Sequence, residues 1–132
     1  MVNHKGEGVL HLAATSAPAV KMFLNRGLDI NRRDAKGLTA LHHAARHAAD
    51  ETIPLLLAAG ADVDARDNDG NTPLHMIFFG DEFWPDIEFP TFQALVAGGA
   101  QKSIRNSQGE TAFDLARRFS DPGEYLHLLD PR

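Results

Sequence analysis

The sequence predicts an all-α solenoid built from stacked helix–turn–helix units. A pattern that begins at Asp34 returns without gaps thirty-three residues later, so that Asp67 repeats Asp34 and Thr72 repeats Thr39. Each copy holds two short stretches of helical pattern, and the same positions of these stretches are apolar in four successive units. A period in this range is typical of repeat proteins, whose units bury a continuous core only by stacking on their neighbours.

The second unit carries the clearest local signals. Asp34 and Gly37 predict a turn, because aspartate bonds its own downstream backbone and glycine accepts positive φ. Thr39 predicts the N-cap of a first helix. Pro54 fits the first turn of a second helix, where its missing N–H loses no partner, and Gly60 predicts the end of that helix.

We expect one domain over residues 1–132. Its units fall at about residues 3–33, 34–66, 67–105 and 106–132. Two apolar columns align in all four units and predict the core: Val20, Ile53, Phe92 and Tyr125, and Phe23, Leu56, Leu95 and Leu128.

The units at the two ends of the stack depart from the pattern. The first is two residues shorter between its helices and has Gly8 in place of the capping threonine, which indicates a fraying cap. The fourth has Asp114 where the second and third have histidine. Atypical end units are expected, because only one of their faces is buried.

The third unit carries the largest departure, six additional residues. They fall within residues 80–89 (GDEFWPDIEF), which we expect to connect the two helices before Pro90 and Thr91 resume the pattern.

Composition limits the class of protein. A 43% hydrophobic and 23% charged chain is ordinary for a globular fold, and a net charge of −5 argues against a nucleic-acid partner. The absence of cysteine excludes a thiolate metal site and fits a reducing compartment. No apolar run approaches the about 20 residues that cross a membrane, and residues 9–19 fit the repeat register better than a signal peptide. We expect a cytoplasmic monomer that needs no cofactor.

The repeated pattern closely resembles the ankyrin repeat. The motif D-x-x-G-x-T-[PA]-L-H-x-A-A followed by L-L-x-x-G-A-D-V-[ND] extends over most of the chain, roughly residues 6–129, and is strongest in the second and third units. The resemblance implies a β-turn finger and two antiparallel helices per unit. It also implies non-covalent recognition of another protein by a concave face of fingers and first helices, with no catalytic site.

Seven histidines raise the alternative of a metal-dependent enzyme. His11, His42 and His75 occupy the family's Thr-Pro-Leu-His position, where we expect near-neutral scaffold residues that bond the threonine. His43 and His47 have the i, i+4 spacing of a two-histidine metal face, but no third ligand is evident. We interpret this pair as exposed residues of the concave face and keep the enzyme as an alternative.

Arg33, Arg66 and Arg105 recur in one column, each directly before Asp34, Asp67 or Asn106. We expect local ion pairs with these acids, and a basic ridge along the stack is the alternative.

The insertion in the third unit is the segment most typical of a binding loop. The stretch from Phe78 to Phe89 holds five aromatic and four acidic residues, includes the sole tryptophan and lacks any basic residue. Loops on a rigid scaffold tend to carry function, and tryptophan is enriched where binding energy concentrates. An acidic surround would suit a partner with a basic surface. The alternative is that some of these aromatics, Phe78 above all, only cover the core.

The sequence therefore predicts a protein–protein interaction module. The predicted contact residues lie on the fingers, the first helices and the insertion: Lys36, Leu38, Arg46, His47, Asn68, Asp69, Asn71, Phe79, Asp81, Glu82, Phe83, Trp84 and Arg118. A narrower alternative is a dedicated neutraliser of one partner, such as a bacterial immunity protein bound to a toxin.

Overall fold

The computed structural model describes residue 14, residues 16–27, 29–79 and 85–118, with no side-chain placement for 85–88. This part of the chain is all-α and contains no strand. Its helices are α1 (Ala17–Leu24), α2 (Ala40–Arg46), α3 (Ile53–Ala58), α4 (Pro73–Met76), α5 (Pro85–Ala97) and α6 (Ala112–Ala116). The predicted features at Gly8, His11, Tyr125 and Leu128 lie outside the described residues.

The first helices of the second, third and fourth units begin where the sequence predicts. The hydroxyl oxygens of Thr39, Thr72 and Thr111 accept the backbone N–H three residues later, at the starts of α2, α4 and α6. The residue at that third position, His42 in α2, returns a bond to the threonine backbone and completes a capping box. Gly60 follows α3 with a φ of 96°, which confirms the predicted helix end.

The turns before these helices, residues 34–39, 67–72 and 106–111, form the fingers of the stack. Asp34 organises the first of them, because its Oδ1 accepts the N–H groups of Lys36 and Leu38, each at 2.9 Å. Asp67 and Asn106 hold their fingers in the same way.

Neighbouring fingers are joined by backbone hydrogen bonds. The Asn68 N–H donates to the Lys36 carbonyl (3.0 Å), and the Ser107 N–H donates to the Asp69 carbonyl (2.8 Å). Because equivalent atoms pair from one unit to the next, the fingers form a continuous row along one side of the helices.

The core lies between successive helix pairs. The predicted column positions are fully or almost fully buried: Val20, Ile53, Leu56, Phe92 and Leu95. Phe23 is partly buried and packs against them. This burial confirms the predicted core within the described units.

The second helix of the third unit begins earlier than the sequence pattern indicates. We expected residues 80–89 to connect two helices, but α5 starts at Pro85 and runs through Pro90. Pro85 suits a first helical position, since its N–H would have no partner there. Phe89 consequently packs against the core, with its ring 5.9 Å from that of Phe92. Phe78 is only 5% exposed, which confirms its predicted covering role.

The arginine column does not form the local ion pairs that we expected. Arg33 donates to the carbonyl of Arg66, and Arg66 Nη2 donates to the carbonyl of Arg105 at 2.6 Å. Arg105 Nη1 donates to the Gly109 carbonyl at 2.8 Å. Asp34 and Asp67, which directly follow Arg33 and Arg66, accept hydrogen bonds from the backbone of their own fingers instead. Arg33 and Arg66 therefore link consecutive units.

Candidate functional site

Two adjoining depressions lie along the fingers and first helices. The larger has a volume of about 540 Å³ and extends across the second and third units. The smaller, of about 240 Å³, extends across the third and fourth. Asp69, Asn71 and Phe79 line both, so the two depressions form one groove, called the finger groove below.

Most of the predicted contact residues that the structure describes line this groove. In the larger depression these are Lys36, Leu38, Arg46, His47, Asp69, Asn71 and Phe79. Arg118 lines the smaller one. Asn68 lines neither depression, and Asp81, Glu82, Phe83 and Trp84 lie outside the described residues.

Four of the side chains that line the groove are exposed to solvent. Lys36, Arg46, His47 and Asp69 are exposed, and none of their side chains bonds another described residue. Phe79, 38% exposed, is one of two large hydrophobic residues in the described chain with substantial solvent exposure. Burial lowers the pKa of His47, and the charges of Arg46 and His43 act in the same direction.

Other predicted contacts serve the scaffold instead. Asn71 is 6% exposed, and its Oδ1 accepts a hydrogen bond from Asn106 at 2.9 Å. The Asn68 amide donates to the Ala35 carbonyl (3.0 Å). Their partners lie 33 to 35 residues away in sequence, so local patterns gave no sign of these bonds.

Leu38 and Arg118 are also partly engaged. Leu38 is partly buried and packs against the core. The Arg118 guanidinium forms an ion pair with Glu110. These residues line the groove, but less of each side chain is available to a partner.

The groove also contains residues that sequence reasoning missed, among them Asp34, Asp67 and Met76. Met76 could have been found by register, because it stands thirty-three residues after His43 on the same helical face. The two aspartates were recognised only as turn residues.

His43 is not the exposed residue that the sequence suggested. Its Nε2 lies 3.0 Å from Asp34 Oδ2, and the two side chains are 14% and 4% exposed. Burial raises the pKa of Asp34, but hydrogen bonds from His43 and from the Leu38 and Lys36 N–H groups outweigh it and hold the pKa below its usual range. His43 is thus oriented by the finger and does not form an open pair with His47.

The described residues contain no group of three or more histidine, cysteine, aspartate or glutamate side chains arranged to hold a metal ion. The metal-dependent alternative therefore receives no support from this part of the chain.

His42 and His75 are the scaffold residues that the sequence predicts. The Thr39 N–H donates to His42 Nδ1 (3.1 Å), so the ring proton lies on Nε2, which donates to the Asn71 carbonyl (2.8 Å). His75 repeats this arrangement between Thr72 and the Glu110 carbonyl. Burial lowers the pKa of both histidines, which favours the neutral ring.

Asp114 replaces histidine in the fourth unit. It keeps the bond to the capping threonine but not the bond to a backbone carbonyl group. Its Oδ2 accepts the Thr111 N–H at 2.9 Å, which completes the cap. This bond lowers the pKa of the carboxyl group. A carboxylate has no hydrogen to donate, so Asp114 cannot make the bond to a carbonyl group that His42 and His75 make.

Fingers, paired short helices and a groove across several units define a helical-repeat scaffold. A model of ankyrin repeats in three copies matches residues 10–83, more than half of the chain. The chain belongs to the ankyrin repeat family. Ankyrin repeats are in general protein–protein interaction modules and not enzymes.

Two relatives agree with this assignment over short stretches. A homologue from Pyrobaculum aerophilum, named as an ankyrin repeat protein, is 52% identical over 42 residues, which cover 32% of this chain and 16% of the relative. Calmodulin-binding transcription activator 6 of Arabidopsis thaliana is 44% identical over 57 residues, which cover 42% of this chain and 7% of that protein. The chain thus spans a small fraction of either relative.

In the described part of the chain, no helix has the length and apolar character needed to cross a membrane.

Proposed function

We propose that this protein binds a partner protein through the finger groove and acts by non-covalent recognition, not by catalysis. The observation that carries the proposal is Phe79, a 38% exposed aromatic ring at the junction of the two depressions. Exposed aromatic residues at the centre of a concave surface commonly supply most of the binding energy at protein interfaces.

The rigidity of the surrounding surface supports the proposal. Backbone hydrogen bonds join the fingers, and the buried histidines of α2 and α4 link these helices to the next finger. A groove that is ordered before association loses little conformational entropy when a partner binds. Lys36, Arg46 and Asp69 then add charged contacts at its rim.

The binding surface extends, in this proposal, into the insertion, where Asp81, Glu82, Phe83 and Trp84 follow Phe79 in the chain. The two acidic and two aromatic residues of this stretch would suit a basic patch on the partner. We further propose that the protein acts as a monomer on one protein partner, without nucleic acid or membrane. A dedicated neutraliser of that partner is the narrower form of the same function.

The test is a comparison of Phe79→Ala with Met22→Ala. Met22, 48% exposed on α1, is the matched control, since it is also a large exposed hydrophobic residue but lies outside the groove. The partner is captured with the wild-type protein, identified by mass spectrometry, purified and titrated calorimetrically. We expect Phe79→Ala to weaken binding about tenfold or more and Met22→Ala to leave it unchanged.

Equal affinities of Phe79→Ala and the wild type would contradict the assignment of the groove. Trp84→Ala in the same titration tests the insertion. Loss of binding in this variant alone would move the interface from the groove to residues 80–84. A neutraliser would bind one partner and abolish its activity at equimolar amounts.

A further inference from the structure

We infer that the finger groove recognises a segment of mixed charge, with an acidic and a basic side chain about three residues apart in an extended stretch of the partner. This inference rests on the proposed function and names the partner's chemistry. It arises from the separation of unpaired charges along the groove.

The second unit supplies the cationic end of the groove. Lys36 on the finger and Arg46 at the end of α2 are exposed and line the larger depression. The one carboxylate of this unit in the groove, Asp34, is 4% exposed and bonded to His43 and its own finger. The charge that solvent, or a partner, meets here is therefore positive.

The third unit supplies the acidic centre. Asp69 is exposed and lines both depressions, and its carboxylate bonds no other described residue. Asp67 adds a second negative charge, since its side chain accepts only backbone N–H groups. Phe79 lies in the same part of the groove, where its ring face could receive a cation.

The fourth unit adds little net charge. Glu110 and Arg118 line the smaller depression but form an ion pair with each other. The charge separation is thus concentrated between the second and third units.

The spacing follows from the stacking of these two units. Their fingers are adjacent, because the Asn68 N–H donates to the Lys36 carbonyl. Equivalent helices pack about 8–10 Å apart, and an extended chain in the polyproline II conformation advances about 3.1 Å per residue with three residues per turn, so that every third side chain lies on the same side. A partner side chain over Lys36 and one over Asp69 are consequently about three residues apart. The acidic one meets Lys36 and Arg46, and the basic one meets Asp69 and Phe79.

The probe is a phage-displayed library of random linear dodecapeptides, selected on the full chain. We expect the wild type to enrich peptides with one acidic and one basic residue about three positions apart. The double variant Lys36→Glu with Arg46→Glu should enrich a basic residue at the formerly acidic position. Asp69→Lys should enrich an acidic residue at the position that is basic in the peptides selected on the wild type. Peptides selected on the wild type should bind either variant about tenfold more weakly.

The control for net charge is Lys21→Glu with Arg32→Glu, two exposed residues outside the groove that change the total charge by the same amount. We expect this variant to enrich the same peptides as the wild type. Circular dichroism verifies that each variant is folded.

Enrichment without a charge pattern, or the same pattern on the reversed variants, would overturn the inference and leave the groove as a binding site. Enrichment that is as strong on Phe79→Ala, with no dependence on groove charges, would overturn both the inference and the proposed function. A wild type that enriches no peptide would overturn the inference alone, because the titration of Phe79→Ala with the protein partner tests the groove separately.

Discussion

Replacement of His42 by leucine tests whether a buried histidine links consecutive units. The ring is 0% exposed, accepts the Thr39 N–H and donates to the Asn71 carbonyl. Leucine fills similar space but bonds neither group. Each unsatisfied buried backbone group costs about 1–3 kcal/mol, so the two together predict a loss of about 3 kcal/mol in the free energy of unfolding.

The assay is urea denaturation followed by circular dichroism at pH 7.5. His47→Leu is the matched control, because His47 follows the same helix but is exposed. We expect the control to change stability by less than about 0.5 kcal/mol. A loss below about 1 kcal/mol for His42→Leu would refute the proposed link.

The same link makes stability dependent on pH. Burial lowers the pKa of His42, and the charges of Arg33 and His43 also lower it, against the opposing effects of the Asn71 carbonyl and Asp67. The ring stays neutral in the folded state while the unfolded chain takes up a proton below pH about 6.5. Stability is therefore fully present above that pH and falls as the pH decreases towards the lowered pKa.

The magnitude of this effect can be measured with the same variants. Each of His42 and His75 contributes up to about 1.4 kcal/mol per pH unit below pH 6.5. We expect His42→Leu to remove about a third to a half of the acid-dependent loss between pH 6.5 and 5.5, because the pKa values of His75 and His47 are also lowered and both contribute in this range. An unchanged pH slope in this variant would refute the assignment of the slope to the buried histidines.

Three further predictions concern backbone geometry and the arginine row, each measured by urea denaturation. Ala48 has a φ of 52°, which is unfavourable for a residue with a Cβ. Ala48→Gly should therefore raise the free energy of unfolding by up to about 1 kcal/mol. A decrease in the free energy of unfolding would contradict backbone strain at this position. Gly70→Ala should cost more than Gly109→Ala, by at least about 1 kcal/mol. Both have a φ of 77°, but only at Gly70 would a Cβ meet the Ser107 backbone N, at 2.9 Å. Arg66→Lys should lose about 1 kcal/mol, because lysine cannot replace both guanidinium hydrogen bonds, and an unchanged midpoint would contradict the link.

The parts of the fold that were predicted from sequence depend on local chemistry. The caps at Thr39 and Thr72 require residues within three positions. The helix end at Gly60 requires one residue that accepts positive φ. The core columns follow from apolar residues that recur at a fixed period. All of these signals are present in the chain before it folds.

The start of α5 was the main error in the fold. The repeat register placed the second helix of the third unit at Pro90 and Thr91, since these residues align with the helix start of the second unit. The helix instead begins at Pro85, where local propensity favours a first turn. Register describes the residues that a stack needs, but it does not limit how far a helix extends beyond them.

The candidate site was predicted in outline but not residue by residue. One groove is lined by four residues that were predicted as contacts from their position in the repeat: Lys36, Arg46, Asp69 and Phe79. Position in the repeat could not distinguish these from Asn71, whose side chain is buried by a bond to the following unit. Availability of a side chain to a partner depends on contacts between units, which a single unit's pattern does not contain.

The sequence by itself determined the repeat, the cap residues, the turn residues and the two apolar columns, because each is set by side chains within one unit. Only the tertiary structure decided which polar groups connect the units and which remain exposed. It directed Arg33, Arg66 and His42 to backbone carbonyl groups of the next unit, and it held His43 against Asp34. It also left Asp69 and Phe79 exposed at the centre of the finger groove. Hydrogen bonds between units about 33 residues apart depend on how the units stack, and stacking is a property of the folded chain.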